Sequence, residues 1–306
     1  MRDLDLTSLR LFVRVCEAGS ITRVAEHTPM VGSAISKRLA QLEDIVGQPL
    51  LIRRRRGVEP TPAGQALLHR ARNILAQCDG VARDMADYAA GVRGLVRISA
   101  TASTIAERLA EDVADFLREA EHRDIRVELE EGLSHDVLRN VREGLVPLGV
   151  CWDAADFQEL ETRPYRGDSL VLIAPAGHPL AGRQQVTFAE TLDHEHVALP
   201  AASAVSAMLR RAAAEAGRLF SQRVTVSNFD SVFRVVHAGL AVSVVPAGVA
   251  QRYAEIHGLA VAPLTDAWAS RRFAVCMRSV AALGPAEALM LAFLVDRQGR
   301  RPHPEA

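Results

Sequence analysis

Three places in this 306-residue chain carry residue types whose spacing could do chemistry. Arg53-Arg54-Arg55-Arg56 sets guanidiniums side by side, suited to phosphate contacts or minor-groove insertion, although an ordinary solvated loop could carry the same residues. Thr101, Ser103 and Thr104 place hydroxyls where a strand pattern hands over to a helix pattern. Backbone N–H groups and the helix dipole favour an anion there, and the hydroxyls serve equally as helix caps. Asp193-His194-Glu195-His196 has metal-capable side chains. Its histidines, two apart, share a face only on a strand, and the expectation is a solvated loop with no metal. The chain has no Gly-x-Ser-x-Gly, no phosphate-cradling Gly-rich loop and no Cys/His pairing, so catalysis lacks a candidate and no cofactor is expected.

The elements that position the arginines come first in the chain. Leu6, Leu9, Phe12, Val13 and Cys16 recur at helical spacing, Gly19 stops the helix, and Ser20 can cap a second one over Ile21–His27 that Pro29 ends. From Ser33, the apolar set Ile35, Leu39, Leu42 and Val46 runs to Gly47 and leaves Ser33, Ser36, Lys37, Arg38 and Gln41 on other faces. Such a pair lets the second helix enter a major groove, a geometry generic helix pairs share. Leu50-Leu51-Ile52 and Val58 flank a tip with Gly57 and predict a small basic hairpin. Thr61 and Pro62 then open a long helix. In it Leu67, Ala71, Ile74, Cys78, Val81, Met85 and Tyr88 form a heptad seam. The seam predicts dimerisation through Leu67, Ile74, Val81 and Met85, with packing on its own chain as the alternative.

The charge follows the same division. The chain is 49% hydrophobic and 24% charged with a net charge of −1, too apolar for disorder and long enough for more than one core. Residues 1–90 hold 13 basic and 10 acidic side chains, net +3, and the remainder is net −4. From Gly94 onward, strand patterns such as Leu95–Ala100, Ile125–Glu130 and Leu148–Cys151 alternate with helical ones, which implies crossover units and a mostly parallel sheet. The four cysteines lie far apart and read as buried free thiols. The acidic N-terminus and the lack of an 18-residue uncharged apolar run predict a soluble, cytoplasmic protein with no membrane partner.

Ala18-Gly19-Ser20-Ile21-Thr22-Arg23-Val24-Ala25, Ser33-Ala34-Ile35-Ser36-Lys37-Arg38-Leu39, Leu42-Glu43, Gly47-Gln48-Pro49-Leu50-Leu51-Ile52-Arg53 and Thr61-Pro62-Ala63-Gly64 together resemble the winged helix-turn-helix of LysR-type transcriptional regulators. Weaker likeness continues through Gly177-His178-Pro179-Leu180 and Ala238-Gly239-Leu240-Ala241-Val242. The resemblance implies an all-α winged helix-turn-helix over 1–60, a linker and dimerisation helix over 61–91, and an effector-binding domain over 92–300. That last domain would be two Rossmann-like α/β subdomains, as in a periplasmic binding protein, with hinge strands near Thr162–Tyr165 and Leu264–Trp268. DNA contacts fall to Gly32, Ser33, Ser36, Lys37, Arg38, Arg53, Arg54, Arg55 and Arg56. Effector contacts fall to Thr101, Ser103, Thr104, Trp152, Ser203, Val205, Asn228, Phe229 and Asp230, although Asp230 equally suits a helix cap. The implied partners are double-stranded promoter DNA, a small and anionic organic effector, RNA polymerase, and further copies of the chain in a homodimer or homotetramer. Where the family has a glutamine opening its recognition helix, this chain has Gly32, and where it has a serine or threonine just before, this chain has Val31. Ser33, Ser36 and Lys37 therefore inherit more of the contact. The rival reading is a small-molecule-binding or enzymatic α/β protein whose N-terminal region only assembles subunits.

Overall fold

Helix α1 (Leu6–Ala18) begins where Asp5, in extended backbone, accepts the Ser8 N–H at 2.9 Å, and it ends at Gly19 with a left-handed φ of +63°. Ser20 caps α2 (Ile21–Glu26) by accepting from the Arg23 N–H. Helix α3 (Gly32–Val46) buries Ile35, Leu39 and Leu42 against Leu9, Phe12 and Val15 of α1. A computed structural model describes residues 4–54, 57–89 and 94–297, and the chain divides into a smaller unit, 1–89 with 143–145, and a larger one, 90–142 with 146–306.

The smaller unit continues with a hairpin of β1 (Leu51–Arg54) and β2 (Gly57–Pro60), antiparallel with Arg53 opposite Val58 and Arg54 opposite Gly57. Then comes α4 (Pro62–Ala89), whose first half is bound to its own unit: Leu68, Ala71 and Leu75 are buried in the core and Leu67 packs on it. The heptad seam is thus divided. Its early member Ala71 is fully buried, while Ile74, Val81 and Met85 stand exposed at 39%, 62% and 60%. The side chain of Tyr88 lies outside the described residues.

The larger unit has two lobes. The first holds the parallel trio β3 (Gly94–Ala100), β4 (Ile125–Glu131) and β5 (Leu148–Trp152). Around them lie α5 (Ala102–Thr104), a π-helical turn over Ile105–Leu109, α6 (Ala110–Arg118) and α7 (Ser134–Arg142). Strand β6 (Glu161–Pro175) leads to the second lobe: α8 (Phe188–Thr191), β7 (His196–Ala198), α9 (Ala204–Glu215), β8 (Gln222–Thr225), α10 (Phe229–His237), β9 (Ser243–Pro246), α11 (Ala247–His257) and β10 (Leu259–Pro263). Strand β11 (Ser270–Met277) and α12 (Pro285–Asp296) return to the first lobe. Val96, Ile98, Phe116, Val275 and Leu294 centre the core of the first lobe. Leu172, Phe188 and Leu209 centre one side of the second, with Phe233 and Val236 on the other.

The sheet runs β10-β6-β11-β5-β3-β4, with β9 also on β6. The expectation of a mostly parallel sheet is corrected here, because β6 and β11 run antiparallel to every neighbour they pair with. Two long strands passing between lobes in opposite directions impose this mixture. The first crossing also lies later than Thr162–Tyr165: β6 pairs with β11 from Glu161 to Ser169 and with β9 and β10 from Leu170. The return crossing falls between Pro263 and Ser270, around the expected Leu264–Trp268.

Candidate functional site

In the smaller unit, α3 presents Ser33, Lys37, Ala40 and Gln41 on its exposed face, with Ser36 half-buried beside them. Lys37 is the chain's only lysine. Val31 holds the cap position and makes no side-chain cap bond, as a residue without a polar atom must. Arg38 instead turns toward Asp5, with Nη1 3.5 Å from Oδ1, at a solvent-exposed pair of little energetic weight.

The hairpin is fixed to α3 by one carboxylate, since Glu43 Oε1 accepts from the Leu50 N–H at 2.7 Å and the Leu51 N–H at 3.1 Å. On its other side the Val58 N–H donates to Gly19 O at 2.9 Å. Gly57, with φ +143°, approaches so closely that a Cβ there would sit 2.2 Å from Gly19 O. Arg53 and Arg54 project into solvent from this fixed base, Arg54 with Nε 3.1 Å from Glu59. Arg55 and Arg56 lie outside the described residues. A helix with small polar residues at its N-terminal end, flanked by a rigid basic hairpin, fits a major groove with phosphates alongside.

In the larger unit a cleft of 340 Å³ opens between the lobes. Its lining includes Thr101 and Ser103 where α5 starts, Gly132 and Ser134 where α7 starts, and Ser203 and Ala204 where α9 starts. Three helix N-termini thus face one space, and their N–H groups favour an anionic or strongly hydrogen-bonding guest. Glu131 and Asp136 also line it, Asp136 held by Arg139 at 2.5 Å. Ser203 Oγ accepts from the Ser206 N–H at 3.2 Å and so acts as the α9 cap.

The family described as "LysR substrate binding domain" matches residues 89–299, and "Bacterial regulatory helix-turn-helix protein, lysR family" matches residues 6–65. The chain belongs to the LysR family. It is a non-enzymatic, DNA-binding transcriptional regulator with an effector-binding domain, which removes the enzymatic rival. Its relatives include an uncharacterized HTH-type transcriptional regulator, YbhD, of Escherichia coli K12, 25% identical over 95% of this chain and 91% of that protein. The nitrogen assimilation regulatory protein nac of Klebsiella aerogenes is 28% identical, and that match spans 58% of this chain and just over half of nac, 57%. Among solved structures, full-length CbnR complexed with its target DNA has the same fold, with a TM-score of 0.68 at 20% identity over 96% of this chain and 100% of that one.

The other expected effector residues of this LysR protein are spread over several places. Thr101, Ser103 and Ser203 line the cleft together. Thr104 is buried behind them, donating to Thr101 O at 2.8 Å. Val205 and Phe229 are core side chains of the second lobe. Asn228 caps α10 by accepting from the Ser231 N–H at 2.9 Å, and Asp230 faces solvent, paired with Arg234. Trp152 belongs to a separate 420 Å³ cavity with Trp268, Met208 and Arg272. The reason is geometric: β5 ends beside β11, where Trp152 lies opposite Phe273, one strand away from the end of β3 that leads into Thr101. Of the cleft residues, Glu131 closes β4 and Gly132 and Ser134 follow it.

In the Asp193–His196 stretch, Asp193, His194 and Glu195 lie in irregular backbone with Asp193 and Glu195 exposed, and only His196 departs from a solvated loop. His196 opens β7, is fully buried against Phe188 and Phe220, and hydrogen-bonds Thr191 O at 3.0 Å through Nε2. Burial pushes its pKa down to about 4. Of the cysteines, Cys151 and Cys276 are buried and Cys16 and Cys78 half-buried.

Behind the cleft, buried charges hold the hinge. Asp168 on β6 makes a two-point pair with Arg271 on β11, with Nε 2.8 Å from Oδ1. Asp112 on α6 receives Arg166 at 2.6 and 2.9 Å and the Tyr165 hydroxyl at 2.6 Å. Glu107, on the π-helical turn, reaches across to the second lobe and accepts the Gly248 N–H at 3.1 Å. Burial, with Asp168 nearby, pushes its pKa up to about 7.

Proposed function

We propose that this regulator binds promoter DNA as a dimer or tetramer and that a small anionic organic molecule, held in the cleft, alters that binding. Gly32, Ser33, Ser36 and Lys37 would face base edges, Arg38, Arg53 and Arg54 phosphates, and Arg55 and Arg56 would extend the basic tip. The observation that carries the effector reading is the convergence of three helix N-termini on one 340 Å³ space between lobes joined by only two crossing strands. A carboxylate there gains N–H and hydroxyl bonds without a lysine or arginine in the lining. Glu131 and Asp136 restrict such a ligand to one anionic end, with hydroxyl or amine groups toward these two carboxylates. Binding acts only through a difference between two arrangements, so the ligand must favour one lobe closure over the other.

Domain limits of 1–60, 61–91 and 92–300 suit this reading. The exposed Ile74, Val81 and Met85 on α4 supply an apolar face that a second copy would cover. Such a protein works in the cytoplasm, where promoter DNA and RNA polymerase are its partners, and no described helix is long and apolar enough to cross a membrane. The test is isothermal calorimetry of the full chain against small carboxylates and their neutral amides. Heat and a changed DNA affinity from a carboxylate alone support the proposal, and binding by the amides alone refutes the anion.

A further inference from the structure

Val31 is 69% exposed, the highest value among the described large apolar side chains of the N-terminal unit. It stands at the cap of α3, where serine, threonine, aspartate or asparagine would secure a free N–H and stabilise the helix. A branched apolar residue forgoes that gain. Its neighbours define what it can reach. Gly32 has no side chain, and the nearest atom to a Cβ built there is Ile21 Cγ2 at 3.9 Å, so nothing in the fold demands glycine at that point. Ser33, Ala40 and the half-buried Ser36 are all small, and the exposed side chains beside them are Lys37 and Gln41, with Asp44 further along and Arg38 half-buried toward Asp5. A helix this low on its exposed face can lie deep in a groove, with its N-terminal end nearest the floor.

The floor of a B-DNA major groove offers hydrogen-bonding groups at each base pair and one apolar group, the C5-methyl of thymine. We propose that Val31 packs on a thymine C5-methyl in each half-site and makes that position a thymine determinant of operator choice. The inference rests on the DNA-binding reading of α3. Lys37, a turn and a half further along the same helix, then supplies a single cationic contact, and the missing bidentate amide at Gly32 is replaced by shape and methyl recognition. Val31 has no donor or acceptor to satisfy, so water expelled from between isopropyl and methyl leaves nothing unpaired.

The test begins with an operator selected by the full-length protein from randomised DNA. Each thymine is then replaced singly by deoxyuridine, which deletes the methyl and no hydrogen bond. One thymine per half-site should stand out, its replacement weakening binding about fourfold and replacement in both half-sites about 15-fold, as expected for one buried methyl each. Val31→Ser should bind the thymine and deoxyuridine operators equally, while its thermal midpoint rises because the new hydroxyl caps α3. That rise separates the absence of methyl packing from a damaged fold. An operator that binds tightly while every deoxyuridine replacement stays within about 1.5-fold overturns the Val31 assignment alone. Retention of the wild-type thymine preference by Val31→Ser overturns it as well. If selection yields no preferred sequence, the DNA-binding reading falls and takes the inference with it.

Discussion

Replacing Glu107 with glutamine should make the effector domain more stable at pH 8 and no more stable at pH 4.5. The carboxylate sits on a π-helical turn of the first lobe and accepts the Gly248 N–H that opens α11 of the second. A Cβ on Gly248 would lie 2.6 Å from Oε2, so the side chain is pressed against that backbone. The groups facing it are Asp168 on β6, Arg271 on β11 and Arg252 on α11, whose Nη2 donates to Glu107 O at 3.0 Å, while Arg252 also pairs with Glu111 at 2.5 Å. Burial raises its pKa from 4.5 to about 7, Asp168 adds to the rise, and the arginines only partly offset it. The sign follows directly: the folded state holds the proton more tightly than the unfolded one, so stability is fully present below pH 4.5 and is lost as pH rises through 7. At about 1.4 kcal/mol per tenfold change in proton affinity, the loss is about 3 kcal/mol. Glutamine keeps the acceptor and cannot ionise. Urea unfolding of both proteins from pH 4.5 to 8, followed by the transition of the larger unit, gives a difference in which the shared histidines cancel. A difference that stays flat across this range would refute the assignment of a buried, raised carboxylate.

Changing Arg53 and Arg54 to alanine should flatten the slope of log DNA affinity against log salt by about 0.9 for each phosphate no longer neutralised, and an unchanged slope in anisotropy titrations would remove them from the interface. Ile74→Asp with Val81→Asp places charges on the exposed α4 face and should give monomers by light scattering, with operator binding lost because two half-sites must be engaged together. Thr101→Val is nearly isosteric and should weaken the effector response while leaving ligand-free DNA affinity within about twofold, whereas Ser203→Ala should also cost about 1 kcal/mol of stability because Ser203 caps α9. Glu43→Ala removes the acceptor shared by Leu50 and Leu51 and should reduce DNA affinity through a loosened hairpin, with the hairpin amides exchanging faster.

The N-terminal unit is legible in the sequence because local rules fix it. Helix stops at Gly19 and Gly47, caps at Ser20 and Thr61, and the Ile35, Leu39 and Leu42 stripe each follow from neighbours a few residues apart. Glu43 belongs to the Leu42-Glu43 motif, yet its hold on Leu50 and Leu51 depends on the hairpin folding back on α3, which no spacing shows. In the larger unit the lobes and strands can be read in outline. The direction of β6 and β11 cannot, because a buried strand shows the same apolar run in either orientation. Helix α12 is apolar on most sides and gives no periodic signal, and α11 follows β9 through Pro246 with no polar cap. The cleft lining is half legible: hydroxyls at a strand-to-helix turn point to Thr101 and Ser103, but the place of Trp152 depends on where β5 stands in the sheet order. His196 ends a polar run and opens the strand pattern His196–Leu199, and the burial that makes it core comes from Phe188 and Phe220, outside both.

Recognition of specific DNA by α3 and the basic hairpin, under control of a small ligand, is the proposal on which the rest depends. Its most direct test is a salt series of anisotropy titrations of the full-length protein with promoter-region DNA and with scrambled DNA of equal length, each repeated with a carboxylate found by calorimetry. Such a regulator should bind one promoter segment at least about 10³-fold more tightly than scrambled DNA, with a steep inverse salt dependence and a shift in the specific affinity when the carboxylate is added. Equal affinity for both DNAs at every salt concentration, unmoved by any ligand that binds the cleft, would contradict it.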